Sequence, residues 1–461
     1  MTPRPDEAPK RPGRVRVSLT GSMSHMVDVI ATAFERKGDV LKVAGLPIDV
    51  FFFRQPEHIK QIYSHPVNGQ TKCPIAIHRE KWLSGRGGHI HPGGAEWKTR
   101  RVEVQQAFSR EHLNVYAARI PELMHTMLEG WAAFAGAGTS LDVRSDIQVM
   151  IARFNFGMLF SRTLGDDEAL RIAGISHYIS EHYADRLPLW IPLPSHLKFR
   201  ACWAELRGYF LDEIRRRRLQ GVHKQDAHKQ DVLSVLVALR DTQTGAPWSE
   251  REILDELASV YFGSAIMGTG LIWMLHALGT NTEVQEKLIA ETYAVAGNRL
   301  PALRDLARLR YTMMVVREAV RLYPPSWALP RLSKEPMEVD GYQIPKNALL
   351  VPAIYFVHRH PAYWPEPDRF DPERFSVENT KKIVSGSYFP FGRGQRTCLG
   401  LTLAPMVFQL ALATLFQRYR VQFEPQGSNP KIDFGFELLP SGPIHVRLAP
   451  IESDKDFQVA Q

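Results

Sequence analysis

Phe391-Gly-Arg-Gly-Gln-Arg-Thr-Cys398-Leu-Gly400 sets one cysteine in a glycine-flanked loop, with an aromatic before it and a helical pattern after it. Gly392 and Gly394 permit backbone angles that other residues resist, so the chain can bend sharply here. Apolar residues then recur with helical spacing at Leu401, Leu403, Met406, Leu410, Leu412 and Leu415. Cys398 is therefore expected at a helix N-terminus, where unpaired N–H groups and the helix dipole favour sulfur as a thiolate. Arg396 adds a cation suited to an anionic edge of a ligand. A thiolate that ligates iron in a flat cofactor, with Phe391 packed against it, needs these features together. With average residue usage, F-x-x-G-x-R-x-C-x-G arises by chance in on the order of one chain in 10,000 of this length. A free cysteine in a turn is the weaker reading.

The rest of the chain has ordinary globular composition, with 461 residues, 44% hydrophobic and 23% charged. No stretch approaches the ~20 consecutive apolar residues of a membrane span, and Met1 to Val17 are basic and proline-rich without an apolar core. Three cysteines, Cys73, Cys202 and Cys398, show no pairing pattern, which points to a reducing compartment and hence the cytoplasm. The net charge is +8. Its densest run, Arg215 to Arg218, ends a helical pattern and reads as a solvated helix terminus stabilised by cations. No nucleic-acid-binding motif accompanies it. Neither a G-x-G-x-x-G fingerprint nor a P-loop occurs, so no nucleotide-cofactor domain is fused and electrons for any redox step come from elsewhere.

Residues 1–21 read as a flexible basic tail. A helical pattern begins at Ser22, and a hairpin is expected across Val40 to Val43 and Ile48 to Phe53. Helical periodicity dominates from Glu96 to about Leu322, with breaks near Gly136-Ala-Gly138 and Leu187 to Pro194. Short strands are expected at Met337 to Val339, Tyr342 to Ile344, Leu349 to Pro352 and Ile444 to Leu448. The polar near-repeat His223-Lys-Gln-Asp-Ala-His-Lys-Gln-Asp231 reads as a loop. His89-Ile-His91 lacks a third nearby ligand and reads as a pocket rim or a contact to an anionic cofactor edge rather than a metal pair.

Two further motifs gain weight from their order. Glu318-Ala-Val-Arg321 lies on a helix that Pro324 and Pro325 end, and Asp371-Pro-Glu-Arg374-Phe375 follows. Trp97-Lys-Thr-Arg-Arg101 places Trp97 and Arg101 on one helix face.

Together these motifs resemble the cytochrome P-450 family, from about residue 22 to 450. The resemblance implies a mainly α fold with a small β subregion, as a single haem domain over 22–461. It implies haem b as cofactor, with Cys398 as the axial iron ligand. Trp97, Arg101, Arg331 and Arg396 would meet the haem propionates, and Phe391 would pack on the ring. Glu318, Arg321 and Arg374 match the family's buried charged triad, tolerable only if every charge is paired. Tyr261, Trp327, Ala328 and Leu329 fall where substrate is bound, as do loops 70–90 and 180–198.

The chain departs from the family on the distal helix. Members carry G-x-(D/E)-T-T there, an acid and an alcohol that deliver protons to bound dioxygen. Here Phe262-Gly-Ser264-Ala265-Ile266-Met-Gly-Thr269 puts Ala265 at the acid's place and Ile266 at the alcohol's, and neither relays a proton. Three accounts remain open. Substrate hydroxyls or water, with Ser264 or Thr269 nearby, supply the relay. Alternatively, the enzyme uses peroxide or rearranges its substrate. In the third account the register shifts by one turn and Thr269 acts.

The implied activity is monooxygenation of a small apolar substrate, such as a terpenoid, fatty acid or polyketide, in bacterial secondary metabolism. The implied partners are O2 and a ferredoxin or flavodoxin docked near Lys98, Arg100 and Arg393. The chain is expected to be monomeric and without a membrane anchor. A non-catalytic haem sensor or carrier is the alternative from another class.

Overall fold

The computed structural model describes residues 10–17, 23–46, 48–64, 70–71, 94–183, 189–219, 230–241, 244–424, 430–435 and 437–451. Cys73, His89, His91, Leu187 and the 223–229 repeat lie outside these residues.

Helices build the larger layer. The distal helix begins at Glu250 because Ser249 and Glu252 satisfy each other's backbone amides, at 2.8 and 3.2 Å. It runs to Ala265, breaks at Ile266 and resumes as Met267–Gly279. Its residues are buried on nearly every side, so it threads the core. Gly270 permits this: a Cβ there would lie 2.8 Å from the Phe408 ring on helix Leu403–Phe416. These two apolar helical stretches are long enough to cross a membrane, and both are mostly buried inside the protein. Helix Ile120–Ala137 ends at Gly138, whose φ of 60° closes the turn.

The smaller layer is a six-stranded sheet in the order Gly13–Arg16, Val40–Ala44, Val50–Phe53, Leu349–Pro352, Arg331–Ser333 and Gln70–Thr71. Val40 pairs with Phe53 across the expected hairpin. Val50–Phe53 then run parallel to Leu349–Pro352, tying both ends of the chain together. All four residues of Val50–Phe53 are buried, as apolar side chains on both faces require. The strands Met337–Val339, Tyr342–Ile344 and Leu349–Pro352 form as expected.

Two readings need correction. Gly13–Arg16 are not tail but a strand paired in parallel with Leu41–Ala44. Their short alternation at the end of a basic segment is too weak a signal without its partner. The Arg215–Arg218 run is not simply a solvated helix end. Arg217 is buried and holds Asp231 with bonds of 2.9 and 3.1 Å, while Arg215 pairs with Glu250.

Candidate functional site

The cysteine loop is held from inside and outside. The Cys398 N–H donates to the Phe391 carbonyl at 2.9 Å, closing the loop that the glycines bend. Gly392 and Gly394 have φ of 71° and 74°, in the left-handed region. A Cβ on Gly394 would sit 2.5 Å from the Tyr63 carbonyl oxygen. Cys398 caps the short turn Leu399–Leu401, and its Sγ accepts from the Gly400 N–H at 3.3 Å. The expected helix follows at Leu403–Phe416. Phe391 is half-buried against the main core.

Cations gather round this loop. Arg101, on helix Gly94–Gln105, donates to the Thr397 carbonyl. The Arg396 guanidinium lies 4.3 Å over the buried Trp97 ring. Arg331 is 6% exposed and stacks 4.9 Å from the centre of the Tyr63 ring. Burial pulls the Arg331 pKa down, and among the described residues no carboxylate forms an ion pair with it. Burial lowers Arg101 too, opposed by its proximity to Cys398 and Glu256. A buried guanidinium of this kind is stable when an anion comes to it.

Behind the loop stands the charged triad. Arg321 grips Glu318 through two bonds of 2.7 and 2.8 Å, with neither side chain exposed. Arg374 approaches Glu318 at 3.4 Å, and the Asp371 N–H donates to the same carboxylate. The remaining Arg321 donors reach the carbonyls of His358, Pro367 and Arg369, so every charge is paired.

On the distal side, a cavity of about 40 Å³ lies between helices Val143–Phe160 and Asp166–His182, the distal helix and the Glu437–Leu439 segment. Tyr261, Ala265 and Thr269 line it. Ser264 does not, because its hydroxyl donates to the Val260 and Tyr261 carbonyls of its own helix. Ile266 occupies the helix break. Trp327, Ala328 and Leu329 line no part of this cavity: Trp327 donates to the Gly435 carbonyl and packs against Phe434 in a separate core. Leu329 covers Gly392 of the cysteine loop. Arg100 is also committed, to Glu252 at 2.5 Å and to the Trp248 ring, which leaves Lys98 and Arg393 exposed beside the loop.

The residue that sequence reasoning missed is Glu437. It is buried, and Thr269 and Ser180 each donate to its carboxylate. Burial outweighs these hydrogen bonds and raises its pKa, so the carboxyl is held towards its neutral form. The signal was present as one acid inside the apolar run Phe434-Gly-Phe-Glu437-Leu-Leu.

Comparison with known proteins agrees with this geometry. The Cytochrome P450 family model matches residues 12–447. Cyclooctatin synthase of Streptomyces melanosporofaciens is 29% identical over 395 residues, 84% of this chain and 83% of that protein. Cyclooctat-9-en-7-ol 5-monooxygenase from the same organism is 28% identical over the same shares. The crystal structure of a cytochrome P450 (CYP102L1) covers 96% of this chain and 100% of its own at a TM-score of 0.82, with 20% identity. A mainly helical fold with small sheets, a cysteine loop ringed by cations and a family match over nearly its full length lead to one assignment: the chain belongs to the cytochrome P450 family of haem-iron oxidoreductases.

Proposed function

We propose that the chain is a haem-thiolate monooxygenase that inserts one oxygen atom from O2 into a small apolar substrate in bacterial secondary metabolism. The observation that carries this reading is the closed Cys398 loop with Arg101, Arg331 and Arg396 around it. Haem b fits these residues: one soft anionic ligand for iron, and cations for two propionates. Cys398 would hold the iron, with Trp97, Arg101, Arg331 and Arg396 at the propionates and Phe391 against the ring. When bound, a thiolate-ligated haem supplies O–O bond cleavage and oxygen transfer to an unactivated C–H or C=C bond.

The protein's own groups then shape the reaction. Glu318, Arg321 and Arg374 keep the loop at a fixed depth. Tyr261, Ala265 and Thr269 border the reacting space, and Lys98 and Arg393 offer a basic face to an acidic ferredoxin or flavodoxin. The Streptomyces relatives carry names from cyclooctatin chemistry, which supports a terpenoid-like substrate. The reading carries with it a cytoplasmic, monomeric enzyme.

The test is spectroscopic. Reduced protein under carbon monoxide should show the absorption of thiolate-ligated haem, and Cys398→Ser should lose it. An identical spectrum in the variant overturns the assignment. A second reading, oxidation by peroxide, is favoured by the apolar side chains at Ala265 and Ile266. Turnover with a surrogate ferredoxin system, set against hydrogen peroxide alone, separates the two. Turnover with neither would leave a haem sensor or carrier.

A further inference from the structure

The distal cavity is more polar than an apolar substrate alone requires. Asn155, on helix Val143–Phe160, lines it, is 0% exposed, and has no hydrogen-bond partner for either its amide oxygen or its amide nitrogen. Leaving both unmade is costly, and native proteins rarely do so without a reason. The same lining holds Glu437, bridged to Ser180 and Thr269. Ile151, Ala173 and Leu439 supply apolar surface between these groups.

We propose that this cavity is an alcohol-anchoring subsite, in which Asn155 and the Glu437–Thr269 pair hold a hydroxyl group of an otherwise apolar substrate. It rests on the monooxygenase reading and names the substrate class of that same site. A hydroxyl is both donor and acceptor, which matches an amide with both functions unmade. A carboxylate does not match. Its charge would face Glu437, and His177, the basic group on the wall, is paired with Glu181 and kept towards neutrality by burial. An ammonium would force Glu437 to ionise in a buried site, which burial opposes. The substrate is thus an already oxygenated hydrocarbon. An earlier hydroxylation, or a cyclisation ended by water capture, must supply it.

The experiment is calorimetric titration of the haem-loaded protein with matched pairs of terpenoid probes: cedrol and cedrane, geranylgeraniol and its parent hydrocarbon, with amine and carboxylic acid analogues. Alcohols should bind at least about tenfold more tightly than their hydrocarbons, the scale of one well-made hydrogen bond. Asn155→Leu and Glu437→Leu should each cut that preference below about threefold, while the isosteric Glu437→Gln should retain it. Equal binding of alcohol and hydrocarbon, no binding of any alcohol, or tighter binding of amine or acid would overturn the proposal. An unchanged preference in Asn155→Leu would do the same. Circular dichroism identifies a variant that has failed to fold, in which case Glu437→Gln and Asn155→Ala carry the comparison: loss of the amide should cut the alcohol preference, and an unchanged preference counts against the subsite. Failure of the haem-thiolate reading would look different, as a wild-type protein without the thiolate spectrum, whatever the titrations show.

Discussion

The Phe389 N–H donates to His358 Nε2 across 3.0 Å, so the segment entering the cysteine loop hangs on one imidazole. Because a backbone amide can only donate, Nε2 must be the bare nitrogen. Nδ1 then carries the proton and donates to the Arg321 carbonyl at 3.2 Å. The ring thereby couples the loop to the charged triad, and only its neutral form can do so. Burial, with Arg321 and Arg359 nearby, pushes the His358 pKa down to about 3. The unfolded chain takes up a proton near 6.5 while the folded one refuses it, so stability falls as pH drops through that window. The expected loss is about 1.4 kcal/mol per pH unit below 6.5, or about 2 kcal/mol by pH 5. Urea unfolding at the two pH values measures it. His358→Gln should flatten that component, and an equally steep variant would refute the assignment.

The Glu318–Arg321 pair predicts unequal costs within the triad. Arg321→Ala strands a carboxylate with no exposure and should cost about 3–5 kcal/mol. Arg374 sits at 3.4 Å with an 11% exposed side chain, so Arg374→Ala should cost less. Chemical denaturation of both variants gives the order, and the reverse order would count against the burial argument.

Gly394 and Gly138 both have positive φ, but only Gly394 meets its neighbours. Gly138→Ala should cost about 1 kcal/mol from backbone strain alone. Gly394→Ala adds a collision with the Tyr63 carbonyl and should cost clearly more, with poorer haem retention. Matched thermal melts and haem absorbance test this. Equal costs would mean that the loop yields freely.

The distal helix allows a direct functional test. Ala265→Asp/Ile266→Thr should raise turnover coupled to NAD(P)H if monooxygenation proceeds without the usual acid and alcohol. Product formed per reductant consumed is the measurement. Unchanged or abolished yield would count against a simple missing-relay account.

Legibility along the chain followed the range of the contacts. The Cys398 loop, Glu318-x-x-Arg321 and Trp97-x-x-x-Arg101 are local patterns whose spacing is preserved when the chain folds, and the last two lie on helices as their spacing predicts. Strands with strong apolar alternation, such as Leu349–Pro352, were equally readable. Gly13–Arg16 was not, because a four-residue strand gains its hydrogen bonds only from Val40–Ala44. Trp327 packs against Phe434, more than a hundred residues later, a contact that no local pattern encodes.

The linear order of residues by itself determined the family, and it set Ala265 and Ile266 at the distal-helix positions where the resemblance implies an acid and an alcohol. Tertiary structure alone decided what stands near those positions. Thr269 and Glu437 lie 168 residues apart, and only the return of the C-terminal hairpin against the distal helix joins them. Such a contact depends on how helices and sheet close around a shared core. No local periodicity encodes that closure.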